Sequence, residues 1–417
     1  MSGPEIVVAD GALGQVAAYA ERHAWRDALL VMDANTEEAA GATVTAALEA
    51  AGVRARALRF LERAGLLANE EAVAKARARL RVDEPDGVIA VGSGVITDIV
   101  RYACHRESRD FVSVPTAASM DGYASGVAAM EFAGVKVTFP ARPPRAIFAD
   151  PAVVAAAPPA LTRSGLGDLL AKATARVDWL ATHLLYGEPF APEVDGRMLA
   201  PVRWAAGHPG AVLRGDRDAI ARLLDGLLES GRAMATVGSS RPASGCEHQV
   251  SHFLDLLAAR GVREHQPHGL QIGYATQWAM RLQRFAFAGG VPSLATPADP
   301  PLDGDAREWL GAAAPPLAAA MAEKQRFTAE HASRWPAAPA AWDDIRARLA
   351  DALALFGPVE AALDAAGLPA EPSVLGLDPR TLRAAFRHAR RLRARYTTLD
   401  FLAGQGVLDA ALDAELP

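Results

Sequence analysis

Four of the ten histidines in this 417-residue chain, His248, His252, His265 and His268, fall within one short stretch, where chance would put about half of one. Glu247-His248-Gln249-Val250-Ser251-His252 places two imidazoles at i and i+4, hence on one helical face, and Pro267-His268-Gly269 opens a segment that can return a third ring. Imidazole is the commonest side-chain ligand of zinc and its neighbours, and a catalytic site needs three protein ligands with one position left open. Taken singly, any of these histidines is better read as a surface or core residue, and His265, among charged and polar neighbours, stays in that class. Because Glu247 precedes the first histidine, the zinc-peptidase pattern H-E-x-x-H is absent. A third ligand is on offer in Gly165-Leu166-Gly167-Asp168, read as an Asp opening a helix after a glycine turn, with Lys172 one turn on as its plain ion-pair partner.

A second set of residues suits a phosphate. Val88 to Asp98 runs from an apolar strand through Gly92-Ser93-Gly94 into Val95-Ile96-Thr97, where glycines let the backbone approach a pyrophosphate and helix N–H groups attract it. The third glycine of G-x-G-x-x-G is missing, since Thr97 stands there, so a tight strand-to-helix turn explains the residues equally well. Asp33 ends the run Val31-Met32-Asp33, where a carboxylate can hold adenosine ribose hydroxyls and repel a 2′-phosphate, or simply cap a helix. The hydroxyl-rich run Val114 to Ser125, with Thr116, Ser119 and Asp121, follows a strand end and is a ligand-loop candidate.

Two kinds of element must position these groups. Up to Asp150, β-branched runs at Ala28–Met32, Ala55–Phe60, Gly87–Val91, Phe111–Val114 and Ala146–Ala149 alternate with Ala-rich helical stretches, predicting an α/β Rossmann-like domain. A hairpin, Ala128–Phe132 and Val135–Phe139 about Ala133-Gly134, interrupts them. Thereafter helical spacing dominates, with breaks near Gly207–Gly210 and Gly289–Asp305, and Ala312–Ala341 reads as helix ends and connections. The expected organisation is an α/β domain over 1–155 followed by an all-α domain over 156–417.

Composition sets outer limits. With 51% hydrophobic and 22% charged residues the chain is an ordinary globular protein, and Cys104 and Cys246 cannot frame a disulfide scaffold. A net charge of −6 disfavours nucleic acid, no run reaches membrane-span length, and Met1–Asp10 is unlike a signal peptide. A cytoplasmic protein acting on a small molecule is expected.

Together, Gly92-Ser93-Gly94 with Thr97-Asp98, Pro115 to Ser125, Gly134 to Asp150, Gly167-Asp168, Ser240 to Gly245, Glu247 to His252 and His268-Gly269 stand in the order found in a known family. The chain resembles the sn-glycerol-1-phosphate dehydrogenases, a branch of the iron-containing alcohol dehydrogenase and dehydroquinate synthase-like superfamily. The resemblance runs from about Asp33 to Arg281 and resumes at Arg395-Tyr396-Thr397. Cys246, where a small hydroxyl residue is commoner, and Gly126, where an acidic one is, depart from it.

The resemblance implies a Rossmann-like NAD-binding domain over 1–155, a helical metal- and substrate-binding domain over 156–417, and a site between them. It makes Asp168, His248 and His268 the metal ligands, with Asp168 also counted among the catalytic residues. Asp121 and His252 contact substrate, and Asp33, Gly92, Ser93, Gly94, Val95, Ile96, Thr116, Ser119 and Ser125 hold the dinucleotide. The implied reaction interconverts dihydroxyacetone phosphate and sn-glycerol 1-phosphate by hydride transfer, the metal acting as Lewis acid. His252 or a water on the metal supplies the proton. Zinc is the first choice, with nickel or iron able to use the same ligands; Asp33 favours NAD, with NADP possible. A homodimer follows by analogy. Two other readings remain open: the same chemistry on another phosphorylated or phosphonate-like hydroxy compound, and, further off, a dehydroquinate-synthase-like cyclase. Lys136, Arg142 and Arg145 are the basic groups near the hairpin, each better read as solvated surface.

Overall fold

The computed structural model describes residues 3–132, 135–288, 304–311, 314–331, 333 and 342–417. Contacts divide the chain into two compact units: Met1–Leu169 with Gly210–Thr236, and Leu170–Pro209 with Val237–Pro417.

The first unit is built on a six-stranded, all-parallel sheet. Its strands are β1 (Glu5–Val8), β2 (Asp27–Asp33), β3 (Arg54–Phe60), β4 (Gly87–Gly92), β5 (Val112–Pro115) and β8 (Ala146–Ala149), in the order β1-β8-β5-β4-β2-β3. Helices cover both faces, so central strands are apolar throughout rather than alternating. Every residue from Ala28 to Met32 is buried. The period of two still sorts them: Leu30 and Met32 pack with Ile89 and Val91 on one face, Leu29 and Val31 with Val88 and Ala90 on the other.

The expected strands form, with two corrections. The strand expected at Phe111–Val114 is β5, one residue later, and it ends on Pro115, which needs no N–H at a strand terminus. The short edge strand β1, Glu-Ile-Val-Val, was not among the expected strands; it gains its order by pairing with β8. The hairpin forms as β6 (Val127–Phe132) and β7 (Val135–Pro140), antiparallel, with Phe132 opposite Val135. Its turn residues, Ala133 and Gly134, lie outside the described residues. Phe132 and Phe139 meet Tyr102 of the helix Gly94–Arg106, with ring centroids 5.1–5.5 Å apart, which holds the hairpin against that helix.

Beyond Asp150 every described regular element is helical. The break at Gly207–Gly210 falls between helices Pro192–Gly207 and Pro209–Leu213. Residues 289–303 of the second expected break lie outside the described residues. Within Ala312–Ala341, where only helix ends and connections were expected, an 18-residue helix spans Ala314–His331; residues 312–313, 332 and 334–341 lie outside the described set. No described helix is long and apolar enough to cross a membrane.

Asp168 does not open a helix. Gly165, Gly167 and Asp168 all lie inside the helix Pro159–Leu170, with Asp168 in its last turn. The glycine marks a close approach instead of a turn: a Cβ on Gly165 would stand 1.8 Å from the carbonyl oxygen of Ala118. Neither backbone can give way cheaply, so Gly165→Ala is expected to destabilise the fold by about 3 kcal/mol. A drop in the thermal midpoint checks this, with Ser164→Ala, which gives up the hydroxyl bond to Ser119 O, as the milder comparison.

Candidate active site

The first unit gathers the proposed dinucleotide residues at one sheet edge. Strand order reverses between β2 and β4, the place where open α/β sheets take ligands beyond the strand C-termini. In register, Val31 lies beside Ala90 and Gly92 beside Pro115, so Asp33, Gly92 and Thr116 end or follow three adjacent strands. A Cβ on Gly92 would sit 2.7 Å from that of Ile96, so only glycine lets the helix Gly94–Arg106 start so tightly. Ser93 stands at its N-cap without a side-chain cap bond, and Gly94, Val95 and Ile96 form the first turn, whose positive end suits a phosphate. Asp33 does cap a helix: Oδ1 accepts from the N–H groups of Asn35 (2.9 Å) and Thr36 (2.8 Å).

The loop after β5 is organised by groups that the sequence did not single out. Arg101, fully buried, donates to the carbonyls of Gly122 (2.6 Å), Tyr123 (2.9 Å) and Val127 (2.9 Å), and to Asp98 at 2.8 Å. Burial pushes the Asp98 carboxyl up to about 6 even with that guanidinium beside it. Tyr123 donates from Oη to Ala117 O at 2.6 Å and stands 3.3 Å from Ser119 Oγ. Ser125 Oγ is bonded within the loop, to Gly122 O and Val127 O. Asp121 is held from two sides: Ser230 Oγ donates to its Oδ2 at 2.8 Å, and its own N–H donates to Asp168 Oδ2 at 2.9 Å. The last contact fixes the orientation of the Asp168 carboxylate, which is fully buried. The i,i+3 spacing of Asp98 and Arg101 was a visible signal; nothing in the sequence pointed to Ser230.

The second unit brings the three expected histidines together. His248 and His252 lie on the helix Cys246–Ala259, and His268 is the first residue of the helix His268–Ala288. The His268 ring centroid is 5.6 Å from that of His248 and 5.8 Å from that of His252. His248 Nδ1 is 2.8 Å from Glu247 Oε1, and His268 Nδ1 is 3.3 Å from Ser251 Oγ. Glu247 Oε1, an acceptor, calls for the proton on His248 Nδ1 and leaves a lone pair on Nε2, the usual arrangement behind a metal-ligating imidazole. The Ser251 hydroxyl can donate or accept, and engages His268 Nδ1 without setting its tautomer. The residues therefore fit a divalent cation. His265 sits apart at the surface, 48% exposed.

Glu247 is itself wholly buried and accepts from Gly245 N (2.6 Å) and Thr174 Oγ1 (2.9 Å) as well as facing His248. Burial raises its pKa against those hydrogen bonds and the nearby Lys172 ammonium. Lys172 Nζ donates to Ala243 O at 3.0 Å, within the same unit. Asp178, Cys246 and Glu247 also cluster closely enough to resemble a cation site. Their donors argue otherwise: Asp178 accepts from Thr398 N, Thr398 Oγ1 and Cys246 N, and burial pushes the Cys246 thiol up, away from thiolate. Near the hairpin, Arg142 and Arg145 face Asp110 at 3.9 and 2.9 Å and are more than half exposed, in keeping with a surface role.

Comparison with known proteins agrees with this layout. The sequence model of the iron-containing alcohol dehydrogenase family matches residues 7–158. A glycerol-1-phosphate dehydrogenase [NAD(P)+] of Bacillus velezensis is 33% identical over 273 residues, 65% of this chain and 69% of the relative. One of Geobacillus thermodenitrificans is 30% identical over 401 residues, 95% of this chain and 91% of the relative. The chain belongs to the glycerol-1-phosphate dehydrogenase family. An iron-containing alcohol dehydrogenase structure from Thermococcus thioreducens superposes with a TM-score of 0.65 at 15% identity, covering all of both chains. The fold is thus the dehydroquinate synthase-like one of that superfamily, as the resemblance implied.

The Glu247 carboxylate stands directly behind His248 Nδ1. Glu247→Gln is expected to weaken divalent-metal binding by about 10- to 100-fold, read by chelator competition on folded protein. Unchanged affinity would show that Glu247 does not orient the ligand.

Proposed function

We propose that the protein reversibly reduces dihydroxyacetone phosphate to sn-glycerol 1-phosphate with a nicotinamide cofactor. The observation that carries this reading is the convergence of His248, His252 and His268, with Nδ1 of the first and third engaged, in a chain of this family. Asp168, His248 and His268 would hold a divalent cation, which supplies Lewis-acid polarisation of a bound carbonyl. Zinc suits the donor set of one carboxylate and two imidazoles, and nickel or iron could share it.

The chain's own groups do the rest. Gly92, Ser93, Gly94, Val95 and Ile96 receive the pyrophosphate on helix N–H groups, and Asp33 takes ribose hydroxyls, which favours NAD over NADP. Thr116, Ser119 and Ser125 shape the loop beside it. Asp121, braced by Ser230, positions the substrate hydroxyls, and His252 holds or passes the proton at the carbonyl oxygen. In this division of labour residues 1–155 bind the dinucleotide and 156–417 the metal and substrate. We also take the working form to be a cytoplasmic homodimer.

Metal-loaded protein given NADH and dihydroxyacetone phosphate is expected to oxidise the cofactor and release the sn-1 enantiomer, with slower turnover on NADPH. His248→Ala is expected to abolish turnover together with metal retention. Metal and NAD bound without turnover would mean another hydroxy-compound substrate, and equal rates with both cofactors would remove the Asp33 argument. Light scattering is expected to give twice the 43.8 kDa chain mass; a single-chain mass would overturn the dimer.

A further inference from the structure

His252 has a partner that no part of this mechanism uses. The chain returns to the 246–259 helix after the 3-10 turn Ala389–Arg391, and there Arg393 Nη2 lies 3.1 Å from His252 Nε2. A guanidinium only donates, so Nε2 must accept and the ring proton belongs on Nδ1, which faces Asp255 Oδ2 at 3.8 Å. A neutral imidazole is a modest acceptor for a group whose planar fork matches the oxygens of a phosphate.

Two more guanidiniums stand near Arg393. Arg395 donates to Ser244 O and Ser240 Oγ, and Arg241 pairs with Glu188 at 2.6 Å while donating to Tyr396 O. Burial, with Arg241 and Arg393 adding repulsion, brings Arg395 down to about 9 in spite of Glu188 and Glu247. Burial lowers Arg393 as well. Burial deprives Arg393 and Arg395 of the hydration a guanidinium has in water, and a dianion beside them would be held by both charges.

We propose that Arg393 is the residue that binds the phosphate of the substrate, a phosphate monoester dianion. The guanidinium leaves His252 for two phosphate oxygens, and Nε2 of His252 is thereby released to face the reacting end of the same molecule. This rests on the proposed function and deepens it, by coupling recognition of the phosphate to availability of the proton-handling ring. It also places a basic group beside His252, whereas Arg142 and Arg145 near the hairpin face Asp110.

The test compares metal-loaded wild type, Arg393→Lys and Arg393→Ala on dihydroxyacetone phosphate and on unphosphorylated dihydroxyacetone. It also measures binding of inorganic phosphate by calorimetry. Loss of a charge-assisted pair is expected to raise KM for the phosphorylated ketone ~10- to 100-fold in Arg393→Ala, to shrink the preference over the unphosphorylated one to match, and to abolish phosphate binding. Arg393→Lys keeps the charge without the fork and is expected to fall between. NADH affinity and metal content are expected to stay at wild-type level, which separates this role from a structural one. A folded Arg393→Ala that keeps the wild-type KM and phosphate affinity overturns the proposal and leaves the proposed function standing. If wild type reduces neither ketone, the proposed function fails. Phosphate binding that is lost in Arg393→Ala would then still support the subsite, and binding equal in both proteins would overturn it.

Discussion

A carboxylate taken wholly out of water is costly unless hydrogen-bond donors meet it, and Glu247 is such a group. Gly245 N and Thr174 Oγ1 donate to it, and His248 supplies the remaining contact. Each donor constrains its own surroundings. A Cβ on Gly245 would come within 2.6 Å of Asp178 Oδ2 and 2.8 Å of Glu247 Oε2, so the residue must be glycine. Asp178 in turn accepts from Cys246 N and from Thr398, tying the start of the 246–259 helix to a segment far along the chain. The orientation of one imidazole is thus the outcome of a packed polar network in which no member can be removed alone without leaving another unsatisfied.

The first unit solves a similar problem with backbone. Past β5 the chain makes the 3-10 turn Gly122–Ala124 before entering β6, and Arg101 takes the carbonyls of Gly122, Tyr123 and Val127. Gly165 lets the 159–170 helix press against Ala118, and at the end of the same helix Asp168 meets Asp121 N. Asp168 and the loop that carries Asp121 are therefore held to each other by one contact. In such an arrangement the site is preorganised by hydrogen bonds already made, which is where electrostatic catalysis draws its advantage.

Much of this was present in local sequence. Apolar runs of the right length announced the parallel strands, two residues between matching runs announced the hairpin, and i,i+4 spacing put His248 and His252 on one face. These are one-dimensional signals, because strand and helix periods are properties of consecutive residues. The family order of the motifs came from the same information.

Other features depended on residues distant in the chain. Gly165-Leu166-Gly167 reads locally as a turn, yet the glycine is there for Ala118, some 47 positions away from it in the sequence, and the helix continues through it to Asp168. Arg393 is one of many arginines in a basic run until folding sets it against His252, and Ser230 is an ordinary helix residue until it meets Asp121. By itself the sequence determined the family and most of the element types, since these follow from motif order and periodicity, and it supplied candidates for the site's side chains from residue chemistry. Only the tertiary structure decided which carboxylate, hydroxyl or guanidinium braces each of them, because contacts of a few ångströms between distant segments leave no mark on the spacing of neighbours.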